Sequence, residues 1–241
     1  MSLLFWFTLL CCVTFGYVTL KEYRKYSLIK DTPTSKIRSL SKGVVEIQGS
    51  LIDDDTLVSA PTNTSCSISI LEIEKVQLRS KENSSGRGWV KINQIKGSAP
   101  FNVADETGKV LVKPENAEIT LDANNHFVLS KKHIQKSFLS EEDIQNSIKH
   151  LVPVKPDISP HEVEIGDFKI TEKLLKKKDD VYVLGRARSE NNDNVIDDSG
   201  LIFLIYQGGT KKALKKCKTK MFSFLIGFFL SFFMCVAVYF V

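Results

Sequence analysis

The apolar positions of this chain follow three different rhythms. At both ends they run without interruption. The first 20 residues carry no charge and Leu3 to Leu20 is almost wholly apolar, while Met221 to Val241 holds neither a charged residue nor a proline. At about 1.5 Å of rise per residue, each run makes a helix of roughly 27–32 Å, which matches a hydrocarbon core of about 30 Å. The spacing predicts one transmembrane helix over 1–20 and a second over 221–241.

Between the ends the rhythm shortens to that of strands. Gly43 to Gly49 is an apolar run bracketed by glycines, and residues 67–78 alternate through Ile68, Ile70, Ile73, Val76 and Leu78. A slip in phase at Leu71 predicts a bulge. Glu82 to Gly88 reads as a polar turn and 89–95 as the partner strand. Further strands are expected at 101–103 and 110–112, flanking the tight connection Asp105-Glu106-Thr107-Gly108, and at 117–121, 127–129, 162–170, 181–187 and 201–206. The third rhythm is helical. Lys21 to Ile29 continues the first helix until Pro33 breaks it. Ser140 with Glu141, Glu142 and Asp143 forms a capping box ahead of Ile144, Ile148 and Leu151. The fold class expected is mainly β (α+β), a membrane-adjacent domain between two transmembrane helices. Its parts are helix 1–20, a basic juxtamembrane linker 21–42, the β domain 43–210, a lysine-rich segment 211–220 and helix 221–241.

Charge changes the picture by its location. The formal charge is +5. Residues 21–42 carry +5 and residues 211–220 carry +6, which leaves the domain at −6. An acidic domain argues against nucleic acid as a partner, because that binding needs a basic face on the domain itself. The basic excess is juxtamembrane: Lys21, Arg24 and Lys25 on one flank, and Lys211, Lys212, Lys215, Lys216, Lys218 and Lys220 on the other. These side chains are the candidate electrostatic contacts to a membrane surface, each contributing about 1 kcal/mol beside anionic lipid. Basic flanks also stay cytoplasmic, so the domain is expected in the cytoplasm with both termini outside. Met1 to Phe5 carries no positive charge and no good cleavage site follows, which favours an uncleaved anchor.

Candidate chemistry is sparse. Cys11, Cys12 and Cys235 lie in the spans, Cys217 among the lysines, and Cys66 alone in the domain, so no disulfide is expected within it. His126, His133, His150 and His161 show no zinc-ligand spacing with each other or with Cys66. No metal, cofactor or catalytic residue is expected. Asp53-Asp54-Asp55 and the trio Asp193, Asp197 and Asp198 read as solvated loops. Asn63-Thr64-Ser65 and Asn83-Ser84-Ser85 match the glycosylation acceptor pattern, which a cytoplasmic domain would leave unmodified.

Several segments together carry a resemblance. Thr32-Pro33-Thr34-Ser35-Lys36-Ile37-Arg38-Ser39 leads into Gly43-Val44-Val45-Glu46-Ile47-Gln48-Gly49. Ala60-Pro61 precedes Cys66, Ser98 to Pro114 contains Phe101-Asn102-Val103-Ala104-Asp105 and Gly108, and Glu172 precedes Val181-Tyr182-Val183-Leu184-Gly185-Arg186-Ala187. In this order the chain resembles the GIDE domain family, relatives of the mitochondrial ubiquitin ligase activator MULAN. The resemblance implies a β domain flanked by helices and a link to E3 ubiquitin ligase systems (ubiquitin-protein transferase, protein ubiquitination). The sequence departs from the family in two places. The usual glycine-bearing turn is replaced by Lys176-Lys177-Lys178-Asp179-Asp180, and the aromatic, arginine-rich pattern after Cys66 is missing. A RING finger needs about eight Cys/His ligands in CxxC pairs, and this sequence contains no CxxC.

Three functions follow as expectations. The first is a non-catalytic, two-pass membrane protein whose domain binds a protein partner or a lipid surface. The second is an accessory member of an E3 system that works with a separate RING protein. The third is an enzyme with an unrecognised site near Cys66 or Asp105.

Overall fold

A computed structural model of the chain describes residues 3–52, 57–81, 84–130, 152–190, 193–198 and 202–240. The helix expected after Ser140 lies outside these residues, as do His133, His150 and Asp53 to Asp55.

The strands in order are β1 (Gly43–Leu51), β2 (Leu57–Ser59), β3 (Thr64–Cys66), β4 (Ile68–Lys81), β5 (Ser84–Ser98), β6 (Phe101–Ala104), β7 (Lys109–Val112) and β8 (Glu118–Thr120). They continue with β9 (Asn125–Leu129), β10 (Val152–Pro153), β11 (Phe168–Leu175), β12 (Asp180–Glu190), β13 (Asp193–Asp197) and β14 (Leu204–Gln207). Helix α1 (Leu3–Asp31) precedes them and α2 (Thr210–Phe240) follows.

Strand β1 pairs with both β12 and β6, and the pairings β6–β7, β7–β13 and β13–β12 lead back to it. Five strands thus close into a small ring, while β14 and β8 extend the sheet beyond β12. The ring encloses the largest core, including Ile47, Leu51, Phe101, Val103, Val112, Val181, Val183 and Ile196. A second sheet, ordered β10-β9-β11-β4-β5, buries Leu71, Ile73, Phe127, Leu129 and Ile170 on one face. Strands β2 and β3 form a separate short hairpin.

The structure moves several expected boundaries. The register shift in the β4–β5 ladder falls between Ile73 and Glu74, not at Leu71. The expected turn at 82–88 is shorter, because β5 already pairs with β4 from Ser84. The strand expected over 162–170 begins only at Phe168, since Gly166 turns with φ 97° and the preceding residues are bends. The aspartates at 193–197 belong to a strand: β13 pairs with β12 on one side and with β7 on the other, burying Val195 and Ile196. Two apolar residues in a polar segment form a strand here because neighbours on both sides supply the ladder.

The two helices run side by side in opposite directions. The rings of Phe5 and Tyr239 lie 6.0 Å apart, and Ser231 Oγ donates to the Thr8 carbonyl at 3.2 Å. Their inner ends rest on the outer face of β12 and β14, where Ile29, Tyr182, Leu184, Leu204, Tyr206, Ala213 and Cys217 form a third core. This explains the unbroken apolar run from Val181 to Leu184. Its odd positions face the ring and its even positions face the helices, so both sides are buried. Helices stand at both ends as expected, but among the described residues one helix, α2, is long and apolar enough to cross a membrane, over Thr210–Ala237.

Candidate functional site at the helix–domain junction

The densest set of buried polar groups lies where α1, α2 and the sheet meet. On α1, Glu22, Lys25 and Ile29 recur at helical spacing and are all buried. Lys25 Nζ donates to Glu22 Oε1 at 2.8 Å and to Glu118 Oε2 of β8 at 2.5 Å. Lys220 of α2 approaches the other Glu118 oxygen at 3.6 Å. Burial opposes the charge on Glu118, but Lys25 and then Lys220 outweigh it and hold its carboxyl below the usual range. Burial likewise works against the Lys25 cation, and the two glutamates overcome it and raise its pKa. Glu22 Oε2 has no hydrogen-bond partner among the described residues.

Asp122, just beyond β8, accepts from Lys212 and Lys216, one turn apart on α2. These two lysines hold its carboxyl below the usual range against the cost of burial. Deeper in the junction, Glu46 of β1 is 1% exposed. It accepts from Thr34 Oγ1 at 2.7 Å, Thr210 Oγ1 at 3.2 Å and Tyr182 OH at 2.9 Å. One carboxylate therefore ties the chain leaving α1 to the first residue of α2 through a strand of the ring. Burial, reinforced by Glu46, pushes the Tyr182 phenol far above its ordinary range, so it stays a donor. Tyr206 OH and Cys217 Sγ lie 3.1 Å apart. Gly208 turns the chain from β14 into α2 with φ 100°, a conformation that favours glycine.

A second buried acid lies in the other sheet. Glu172 of β11 is fully buried and accepts from Ser59 Oγ, from Thr62 Oγ1 at 2.8 Å and from Asn125 Nδ2 at 2.6 Å. These side-chain donors are neutral, and the Ser59 and Thr62 hydroxyls bind the β2–β3 hairpin to the sheet. Cys66 is buried at the end of that hairpin. Asp105 spends its carboxylate on the backbone N–H groups of Ile37, Thr107 and Gly108 and on the Thr107 hydroxyl. Burial works to raise its pKa, but these donors outweigh it and hold the carboxyl below the usual range, leaving a capped turn rather than a poised acid. His126 pairs with Thr171 Oγ1 at 3.1 Å, and burial together with Lys169 keeps its pKa low.

The nine basic side chains read from the sequence separate into two groups. Lys25, Lys212, Lys216 and Lys220 pair with Glu22, Glu118 and Asp122 of the protein. Lys21, Arg24, Lys211, Lys215 and Lys218 are exposed and make no ion pair among the described residues. Sequence reasoning missed Glu46, Glu118 and Asp122. Glu46 left a trace as a lone acid inside an apolar run, whereas Glu118 and Asp122 lie about 90 residues from their lysine partners and left none.

The elements thus define a mainly β domain gripped at its base by two long antiparallel helices. The family model GIDE, described as E3 ubiquitin ligase, matches residues 72–230, more than half of the chain, from within β4 into α2. The chain belongs to the GIDE family. No curated protein and no solved structure matches it.

Proposed function

We propose that this GIDE-family chain is a two-pass membrane protein whose β domain binds a protein partner or a lipid surface and performs no chemistry of its own. Its central domain lies in the cytoplasm and both termini lie outside. The observation that carries the reading is the junction. Its strongest polar groups are spent on fixing the helices to the sheet, through Glu46, Glu118 and Asp122. Such a base presents a domain at constant height and orientation beside a bilayer. Trp6, Phe7, Leu10, Val13 and Leu20 on α1 and Leu230 and Phe233 on α2 all point away from the protein. An apolar surface of this extent needs lipid around it, which supports a second span in α1.

The family match favours a second reading, in which the chain is an accessory of an E3 ubiquitin ligase system and a separate RING protein recruits the conjugating enzyme. One assay separates the two. Purified full-length chain is added to a ubiquitin-charged conjugating enzyme, and loss of the thioester is followed. No acceleration is expected from the chain alone. Acceleration by the chain alone would make it a transferase, and acceleration only with an added RING protein would favour the accessory role.

A further inference from the structure

We propose that Lys211, Lys215 and Lys218 form a headgroup site for an anionic phospholipid, distinct from the lysines that hold the domain on its helices. The inference rests on the membrane reading above and deepens it. At about 100° per residue, positions 211, 215 and 218 fall within about 40° of a common line along α2. Lys212, Lys216 and Lys220 fall on the neighbouring face, and Ala213 and Cys217 on the buried one. The structure treats the two lysine faces differently. Asp122 and Glu118 pair with the lysines of the second, while those of the first have no acidic partner among the described residues.

Depth selects lipid over an acidic protein. The uncharged run begins at Met221, so Lys218 and Lys215 stand about 5 and 9 Å above it and Lys211 about 15 Å. A headgroup layer is about 5–8 Å thick on each side of the hydrocarbon. Lys218 lies within it, and Lys215 and Lys211 reach its outer edge by extending their stems. Lys218 Nζ already lies 5.9 Å from the ring centre of Phe222, one turn further on and inside the apolar run. Lys21 and Arg24 stand about 2 and 6 Å beyond the end of the apolar run on α1, also exposed and without an ion pair among the described residues. They add to the local field without closing the site.

The test uses the full chain in neutral detergent mixed with phosphatidylglycerol and phosphatidylcholine, with retained lipids counted by native mass spectrometry. Wild-type protein is expected to retain phosphatidylglycerol in preference. The variant Lys211→Gln/Lys215→Gln/Lys218→Gln should retain at least about fivefold less, the effect of losing even one surface cation at full strength, with unchanged thermal stability. The variant Lys212→Gln/Lys216→Gln/Lys220→Gln should keep the lipid and melt at a lower temperature. Equal lipid loss in both variants would reduce the site to bulk charge and overturn the proposal, as would full retention in the first. Retention of lipid by the first variant combined with lost binding to a polyglutamate peptide would reassign the face to an acidic protein. Release of the wild-type chain from membranes by alkaline carbonate would instead overturn the membrane reading itself.

Discussion

Lys25 shows how much one side chain holds at the junction. It is 5% exposed, yet its cation is shared between two carboxylates on different elements. Replacing it by Met would leave Glu22 buried without any partner and deprive Glu118 of its closest one. Removal of one member of a buried pair costs about 3 kcal/mol or more. Lys25→Met is expected to lower stability by about that amount in denaturation followed by circular dichroism, and Lys25→Met/Glu22→Gln to recover part of it. A single variant as stable as the wild type would show that the pair is solvated. Gly185 makes a steric counterpart. A Cβ there would lie 2.7 Å from Ile196 Cγ2 and 2.9 Å from the Phe203 ring. Gly185→Val should therefore destabilise by about 2 kcal/mol through overpacking, measured by the same method. The sequence displays Gly185 within a strand, but the close approach of β13 and Phe203 that requires it comes from distant segments.

The helices dock through groups whose titration predicts a pH profile. Glu118 and Asp122 sit below their ordinary values of 4.5 and 3.8. A group with a depressed pKa contributes stability that is complete above its unfolded value and lost as pH falls through the folded one. Lys25 sits above its ordinary 10.5, so its contribution is complete below that value and lost as pH rises through the folded one. The contributions of these three groups are expected to be flat from roughly pH 5 to 10 and to fall on both sides, while His126, held below its ordinary 6.5, adds a loss of melting temperature as pH falls through that value. In Lys212→Gln/Lys216→Gln the acid limb should shrink, because Asp122 no longer has its partners in the folded state. An acid limb identical to that of the wild type would remove Asp122 from the docking. At this same scale alternation identified β4 and an unbroken apolar run identified β12, whereas β2, β3, β10 and β13 carry too few apolar residues to leave a periodic signal. The strand misplaced at 162–170 contains the apolar residues Val163 and Ile165, but Gly166 turns the chain between them and β11.

For the whole molecule the sharpest prediction is topology. The basic flanks predict a cytoplasmic domain, whereas the resemblance to mitochondrial members of the GIDE family predicts one that faces away from the cytosol. Labelling with a membrane-impermeant thiol reagent decides between them. Cys66 and Cys217 are fully buried, so replacing Cys11, Cys12 and Cys235 by Ser leaves a quiet background. In that background Ser84→Cys should be unreactive in intact cells and labelled after lysis. Labelling before lysis would put the domain outside and set the charge rule aside for this chain.

Some properties of this protein were settled by local order along the chain. Terminal apolar runs, alternation in β4, the proline break after α1 and the acidic domain between basic flanks depend on neighbouring residues, and each was legible without the fold. The GIDE membership was legible too, because it rests on short motifs in a set order. The closed ring, the third core and the division of nine basic residues into paired and unpaired sets were not. They depend on β1 meeting β12 across at least 130 residues and on α1 and α2 returning to the same face of the sheet. A lysine's role is fixed by what stands opposite it, and only the tertiary structure brings Glu118 and Asp122 opposite one face of α2 and leaves the other bare.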